Sequence, residues 1–95
     1  MNIYLDDMRT LQNTDWVVVR RVEDVKTLLR ANLVTNLDLD HDLGDGQPTG
    51  YDLCKWMAEH NIWPTGDIQI HSMNPVGQQN MKAILDRYFY EKETR

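Results

Sequence analysis

The segment LDLDHDLGDG, residues 37–46, sets Asp38, Asp40, Asp42 and Asp45 within eight positions, with His41 among them. Carboxylates this close repel one another, and each resists ionisation where it is partly buried. Such a cluster needs either water around it or a cation within it. Two further stretches carry comparable groups. Asp6 and Asp7 close the run MNIYLDD, and His71, Ser72 and Asn74 follow the run DIQI. Carboxylates are the hard oxygen ligands that Mg²⁺ or Mn²⁺ prefers. Ser72 and Asn74 can donate hydrogen bonds to a phosphate oxygen, as can the N–H groups of a helix that begins beside them.

The elements that would bring these residues together can be read from the apolar pattern. Ile3, Tyr4 and Leu5 form a short buried strand that stops at Asp6 and Asp7, and MRTLQNTD is a loop. Trp16 to Val19 is β-branched and almost continuously apolar, as a covered parallel strand would be. Val22, Val25, Leu28 and Leu29 fall at helical spacing and predict a helix of about ten residues ending near Asn32. LVTNLDLD returns to strand, with Leu37 and Leu39 on one face, and GDGQPTG is a loop. Thr49 caps a helix with Asp52 in its first turn and an apolar stripe of Leu53, Trp56, Met57 and His60. NIWPTG breaks that helix, and DIQIH is a strand. Asn74-Pro75 opens a final helix whose stripe is Met81, Ile84, Leu85 and Tyr88.

Strands alternating with helices call for a mostly parallel sheet sandwiched between helices. In such sheets ligands bind outside the carboxyl ends of the strands. Asp6 and Asp7, then Asp40, His41 and Asp42, then His71, Ser72 and Asn74 all stand at strand ends of this kind.

Composition narrows the partners. A chain of 95 residues is one domain, 1–95, large enough for one hydrophobic core. Its formal charge of −5 argues against a long nucleic-acid duplex or an anionic membrane as an electrostatic partner. A small phosphorylated substrate stays open, because a bound divalent cation reverses the local sign. The single cysteine, Cys54, excludes an internal disulfide and suits a reducing cytoplasm, which is the expected location. No signal peptide and no apolar run of about 20 residues is present.

Each polar group also has a plainer reading. Asp6 and Asp7 serve equally as a solvated strand end, Asp45 reads as an acidic turn, and His60 reads as structural. Trp56, Met57 and Met81 belong to the core. Asp38 lies inside a strand that should be buried; it either joins the acidic cluster or pairs with Arg20 or Arg21.

The motifs YLDDMR, LDLDHDLGDGQPTGYDLCKWM and IHSMNPVG resemble the receiver domain of two-component systems. On that pattern Asp6 and Asp7 match the acidic metal-binding pair, Asp40 the phosphoacceptor-like aspartate and Ser72 the hydroxyl residue after strand four. Asp42 stands where receivers place a main-chain carbonyl on the metal. The sequence departs from receivers in four respects. Gly44 replaces a proline, and the helix between the first two strands is missing. A fifth strand is absent, and so is its lysine, since Lys82 and Lys92 lie on the final helix.

The closer resemblance is to the divergent cyclic-phosphate-processing receiver domains, carried by Leu5 to Arg9, Leu39 to Gly44, Thr49 to Tyr51 and His71 to Gly77. It implies a truncated, flavodoxin-like receiver fold: three layers, four mostly parallel strands ordered 2-1-3-4, and helices on both faces. It also implies a metal-dependent role in processing cyclic phosphates in RNA-repair or nucleotide pathways.

Three functions compete. The first is a Mg²⁺- or Mn²⁺-dependent phosphoesterase that opens a cyclic phosphate on a nucleotide or RNA end. Asp6, Asp7, Asp40 and Asp42 would hold the metal, and Asp40 has a variant role as nucleophile. His41 or His71 would act as general acid or base, and Arg9, Ser72 and Asn74 would contact phosphate oxygens. The second is a phosphoaccepting switch, disfavoured by the missing strand and lysine. The third is a non-catalytic acidic module that binds a protein partner. Histidines at strand ends favour the first. Relief of repulsion should stabilise the metal-free protein when Asp6 or Asp40 becomes Asn. The unprotected edge of the fourth strand, together with the adjacent Tyr88, Phe89 and Tyr90, predicts a homodimer.

Overall fold

The structure is a computed structural model that describes residues 1–12 and 15–90. Its elements are β1 (Asn2–Leu5), β2 (Trp16–Val19), α1 (Val22–Arg30), β3 (Asn36–Leu39), α2 (Gly50–His60), β4 (Ile68–Ile70) and α3 (Pro75–Ile84). A π-helical segment, Leu85–Tyr90, continues α3. The four strands form one parallel sheet in the order β2-β1-β3-β4, as expected. The pairing of β4 reaches one residue beyond the strand at each end: Leu37 donates to the Asp67 carbonyl, and His71 donates to the Leu39 carbonyl.

The helix starts follow the local chemistry. Thr49 and Asp52 form a reciprocal capping box at α2, each side chain bonded to the other's backbone N–H. The Asn74 side chain accepts from the Gly77 N–H, and Pro75 supplies the preset φ of a first helical position. No side chain caps α1, which is held by burying Val22, Val25 and Leu29. Asn32 and Asn61, both at positive φ, close α1 and α2.

The described helices all pack on one face of the sheet. Ile3, Leu5, Leu37, Leu39 and Ile68 alternate onto that face and join Val25, Leu29, Leu53, Met57, Met81 and Leu85 in a single core. The opposite face carries Asn2, Tyr4, Trp16, Val18, Asn36, Asp38 and Gln69 and has no described helix over it. The expected three-layer arrangement is corrected here, while the α/β class and strand order stand. The reason is handedness. The β2-to-β3 and β3-to-β4 crossovers run in the same direction across the sheet, so right-handed connections put α1 and α2 on one side. Only a helix between β1 and β2 would lie on the other, and among the described residues none is found between those strands.

Three smaller expectations change. The strand β2 lies at the edge, as the expected order has it, but is not fully covered: Val17 is 43% exposed, because α1 turns back over β1 and leaves the outermost strand half open. His60 leaves the core stripe; it is exposed, and its ring bonds the Trp56 carbonyl. Phe89, 4% exposed, replaces Tyr88, 46% exposed, in the last apolar stripe. The wider π turn stretches the repeat to Met81, Leu85 and Phe89, a spacing of four.

Candidate functional site

The carboxyl ends of β1, β3 and β4 bring Asp6, Asp40 and His71 together. One oxygen from each carboxylate and one ring nitrogen of His71 lie within 4.8 Å of one another. Asp6 is 1% exposed. One of its oxygens accepts the backbone N–H groups of Met8 (2.9 Å) and Arg9 (2.8 Å), so the turn after β1 wraps around it. Its other oxygen meets His71 Nε2 at 2.9 Å.

These surroundings set the charges. Burial raises the Asp6 carboxyl, but the N–H bonds of Arg9 and Met8 and the His71 ring outweigh burial and hold it below its ordinary value. Asp40 moves the other way. Burial pushes it up, the His41 backbone N–H pulls back, and the nearby Asp6 and Asp7 charges add to the rise. The repulsion expected among the carboxylates is therefore concentrated on Asp40.

His71 is held on three sides. Its Nδ1 lies 2.6 Å from Asp38 Oδ1, its Nε2 contacts Asp6, and its ring stacks on Tyr4 with centroids 4.2 Å apart and planes 5° from parallel. Asp38 thus joins the cluster through His71. It occupies the open face of the sheet, which is why a strand carboxylate is tolerated there. Neither arginine pairs with it: Arg20 donates instead to the Asp6 and Arg9 carbonyls, and Arg21 is exposed at the start of α1.

His41 sits apart, over the amino end of α3. Its Nδ1 lies 2.9 Å from Asp42 Oδ1, and Asn74 Nδ2 donates to the other Asp42 oxygen at 3.3 Å. Asp42 is exposed, its side chain at 66%, and its carboxyl lies below the ordinary value, chiefly because of the His41 bond. Room for the His41 ring comes from Gly77, where a Cβ would lie 2.5 Å from His41 Cγ.

The remaining predicted residues border the cluster. Asp7 is half-buried beside Gly44 and stands outside the Asp6–Asp40–His71 set, as does Asp42. The Arg9 side chain is exposed, with Nε 3.9 Å from Asp6, and the Tyr4 hydroxyl helps hold its guanidinium above the ordinary value. Ser72 Oγ accepts from the Asn74 N–H at 3.1 Å and keeps its own proton to donate. Asn74 spends its oxygen on the helix cap. Asp45 is exposed in a turn. Lys82 is exposed on α3, and Lys92 lies outside the described residues.

The stack of Tyr4 on His71 was not anticipated. Its signal was the period-two alternation of Asn2 and Tyr4 with Ile3 and Leu5, and of Asn36 and Asp38 with Leu37 and Leu39. That pattern marks a sheet with one face uncovered.

A parallel sheet ordered β2-β1-β3-β4, with an aspartate after β1, another after β3 and a serine beyond β4, defines a receiver-type domain. The family model described as the cyclic-phosphate processing receiver domain matches residues 1–87, and the chain belongs to that family. This membership links it to cyclic-phosphate processing. No match was found among the curated proteins or the solved structures. No helix among the described residues is long and apolar enough to cross a membrane.

Proposed function

We propose that this protein is a divalent-metal-dependent phosphoesterase that opens a cyclic phosphate on a nucleotide or an RNA end. The observation that carries the reading is the convergence of Asp6, Asp40 and His71 within 4.8 Å from three separate strand ends. Two carboxylates and an imidazole form a donor set for a divalent cation, and the nitrogen favours Mn²⁺ over Mg²⁺. Asp7 and Asp42, at the rim, add negative charge for a hydrated ion. When bound, such a cation offsets the carboxylate repulsion, polarises a phosphoryl oxygen and lowers the pKa of a bound water.

The two histidines divide the work. Both ring nitrogens of His71 are engaged, which suits a ligand. His41 is oriented by Asp42 through Nδ1, and among the described residues no partner is found for Nε2. A ring held that way can take a proton from the attacking water and return it to the ring oxygen that leaves phosphorus. The P–O bond of the cycle breaks as the new P–O bond forms, and the product is a phosphomonoester. Ser72 and Arg9 stand where they can donate to the phosphate oxygens.

The double engagement of His71 also favours a second reading, a non-catalytic acidic module in which the ring is purely structural. One experiment separates the two. A screen of 2′,3′-cyclic and 1″,2″-cyclic phosphates with Mg²⁺ and Mn²⁺ should show turnover by wild type and none by Asp40→Asn. Equal, background-level hydrolysis by both proteins with either metal would leave the acidic module.

A further inference from the structure

The bond between Asp38 and His71 takes no part in the chemistry proposed for Asp6, Asp40 and His41. Asp38 is two residues before Asp40 on β3, so its side chain leaves the opposite side of the strand from Leu37 and Leu39. It reaches the His71 ring across the open sheet face, at 2.6 Å from Nδ1. Tyr4, on the neighbouring strand and the same face, lies parallel to that ring. The tyrosine fixes the ring plane, and the carboxylate fixes the rotation within that plane. Together they aim Nε2 at Asp6.

The hydrogen-bond inventory makes the bond directional. Carboxylates can only accept, so Nδ1 donates to Asp38 and Nε2 to Asp6; a cation at the Asp6–Asp40 cluster would displace the Nε2 proton, while the Asp38 bond keeps the other on Nδ1. Histidine ligands are commonly supported in this way by a carboxylate on the far nitrogen, which fixes the tautomer and strengthens the ligand.

We infer that Asp38 is a positioning residue: through its bond to Nδ1 it sets the tautomer and direction of His71, so that Nε2 faces the Asp6–Asp40 cluster as a metal ligand. Asp38 itself touches neither metal nor substrate. The metal part of this inference rests on the reading above; the tautomer part does not.

The test uses the full chain and two readouts. Nitrogen-15 NMR of the metal-free protein reports whether Nδ1 of His71 carries a proton. Mn²⁺ affinity is measured by the electron paramagnetic resonance of the free ion, for wild type, Asp38→Asn, Asp38→Ser and Asp45→Asn. The last variant removes an exposed charge from the turn after β3 and controls for net charge. Asp38→Ser should move the proton population away from Nδ1, and both Asp38 variants should lose about 10–100-fold in Mn²⁺ affinity. Asp45→Asn should lose far less. Unchanged His71 nitrogen signals in Asp38→Ser, or an affinity loss no larger than that of Asp45→Asn, would overturn the inference. If wild type binds no Mn²⁺, the metal reading fails by itself, and the NMR readout still decides whether Asp38 sets the ring.

Discussion

The Tyr90 hydroxyl donates to the carbonyl of Ile68 at 2.7 Å. Leu37 pairs with Asp67 and His71 with Leu39, so the backbone groups of Ile68 and Ile70 point away from β3 toward the open edge. Tyr90 therefore satisfies from within the chain one of the groups that would attract a second strand. Replacing Tyr90 with Phe keeps the ring and removes the bond. The cost should be about 1 kcal/mol in chemical denaturation. Light scattering at tens of micromolar should give a higher mean mass for the variant than for wild type, through pairing at the freed edge. Equal masses would mean that this edge does not drive association.

Asp6 and Asp40 should respond oppositely to the same substitution. Asn at position 40 removes the carboxylate that burial and its neighbours make hard to ionise, so the metal-free protein should gain roughly 0.5–1 kcal/mol. Asn at position 6 removes an ionised, buried acceptor and faces His71 with an amide. That should cost about 1.5–3 kcal/mol, the range for hydrogen bonds to charged groups. Urea midpoints without metal measure both. The sequence alone predicted a gain at both positions, since repulsion is symmetric there. The asymmetry comes from the turn after β1, whose Met8 and Arg9 N–H groups favour charge on Asp6 alone.

The same contrast predicts the pH profile of the metal-free protein. The folded-state pKa of Asp6 lies below the ordinary 3.8, so its contribution is present above that value and disappears as pH falls through the folded pKa. Asp40 lies above 3.8, so its ionisation costs stability at neutral pH, and the cost fades as pH falls through its folded pKa toward 3.8. The stability advantage of Asp40→Asn over wild type should therefore be largest near neutrality and close by about pH 4. A constant difference across that range would show that the substitution acts through packing.

Much of this arrangement was legible in the sequence because it depends on local rules. The caps at Thr49 and Asn74 and the strand ends at Asp6, Asp40 and His71 follow from residue type and spacing. The one-sided sheet was legible in principle, since Asn36 and Asp38 alternate with Leu37 and Leu39. A continuous apolar β2 argued the other way and prevailed. The clasp of His71 by Asp38 and Asp6 joins residues 33 and 65 positions apart, and no spacing rule reaches that far. The exchange of Tyr88 for Phe89 depends on one π turn, which leaves no mark in a helical repeat.

Mn²⁺ should raise the melting temperature of wild type more than Mg²⁺ does, because one of the three converging donors is a nitrogen. At about five times the dissociation constant the linkage gives about 1 kcal/mol, or about 4–8 °C for a domain of this size. Both Asp40→Asn and His71→Ala should abolish the shift. Scanning calorimetry with each metal at equal concentration checks it. A Mg²⁺ shift that survives His71→Ala would place the ion on Asp7 or Asp42 instead.

Gly77→Ala isolates the role of His41. The added Cβ would stand 2.5 Å from His41 Cγ, closer than carbon atoms approach, so the ring has to move off the amino end of α3. Alanine also favours a helix by up to about 1 kcal/mol over glycine, which offsets part of the strain and helps to keep the domain folded. The ligand set Asp6, Asp40 and His71 lies on the strand ends and does not include His41. Mn²⁺ affinity should therefore stay as in wild type while kcat on a cyclic phosphate falls by about 100-fold or more, the usual loss of a general acid–base group. His41→Ala should lose a similar factor, and the double variant should lose little beyond either one, because both changes disable the same ring. A Gly77→Ala protein with wild-type kcat would remove His41 from the chemistry, and additive losses would give Gly77 a separate role at the start of α3.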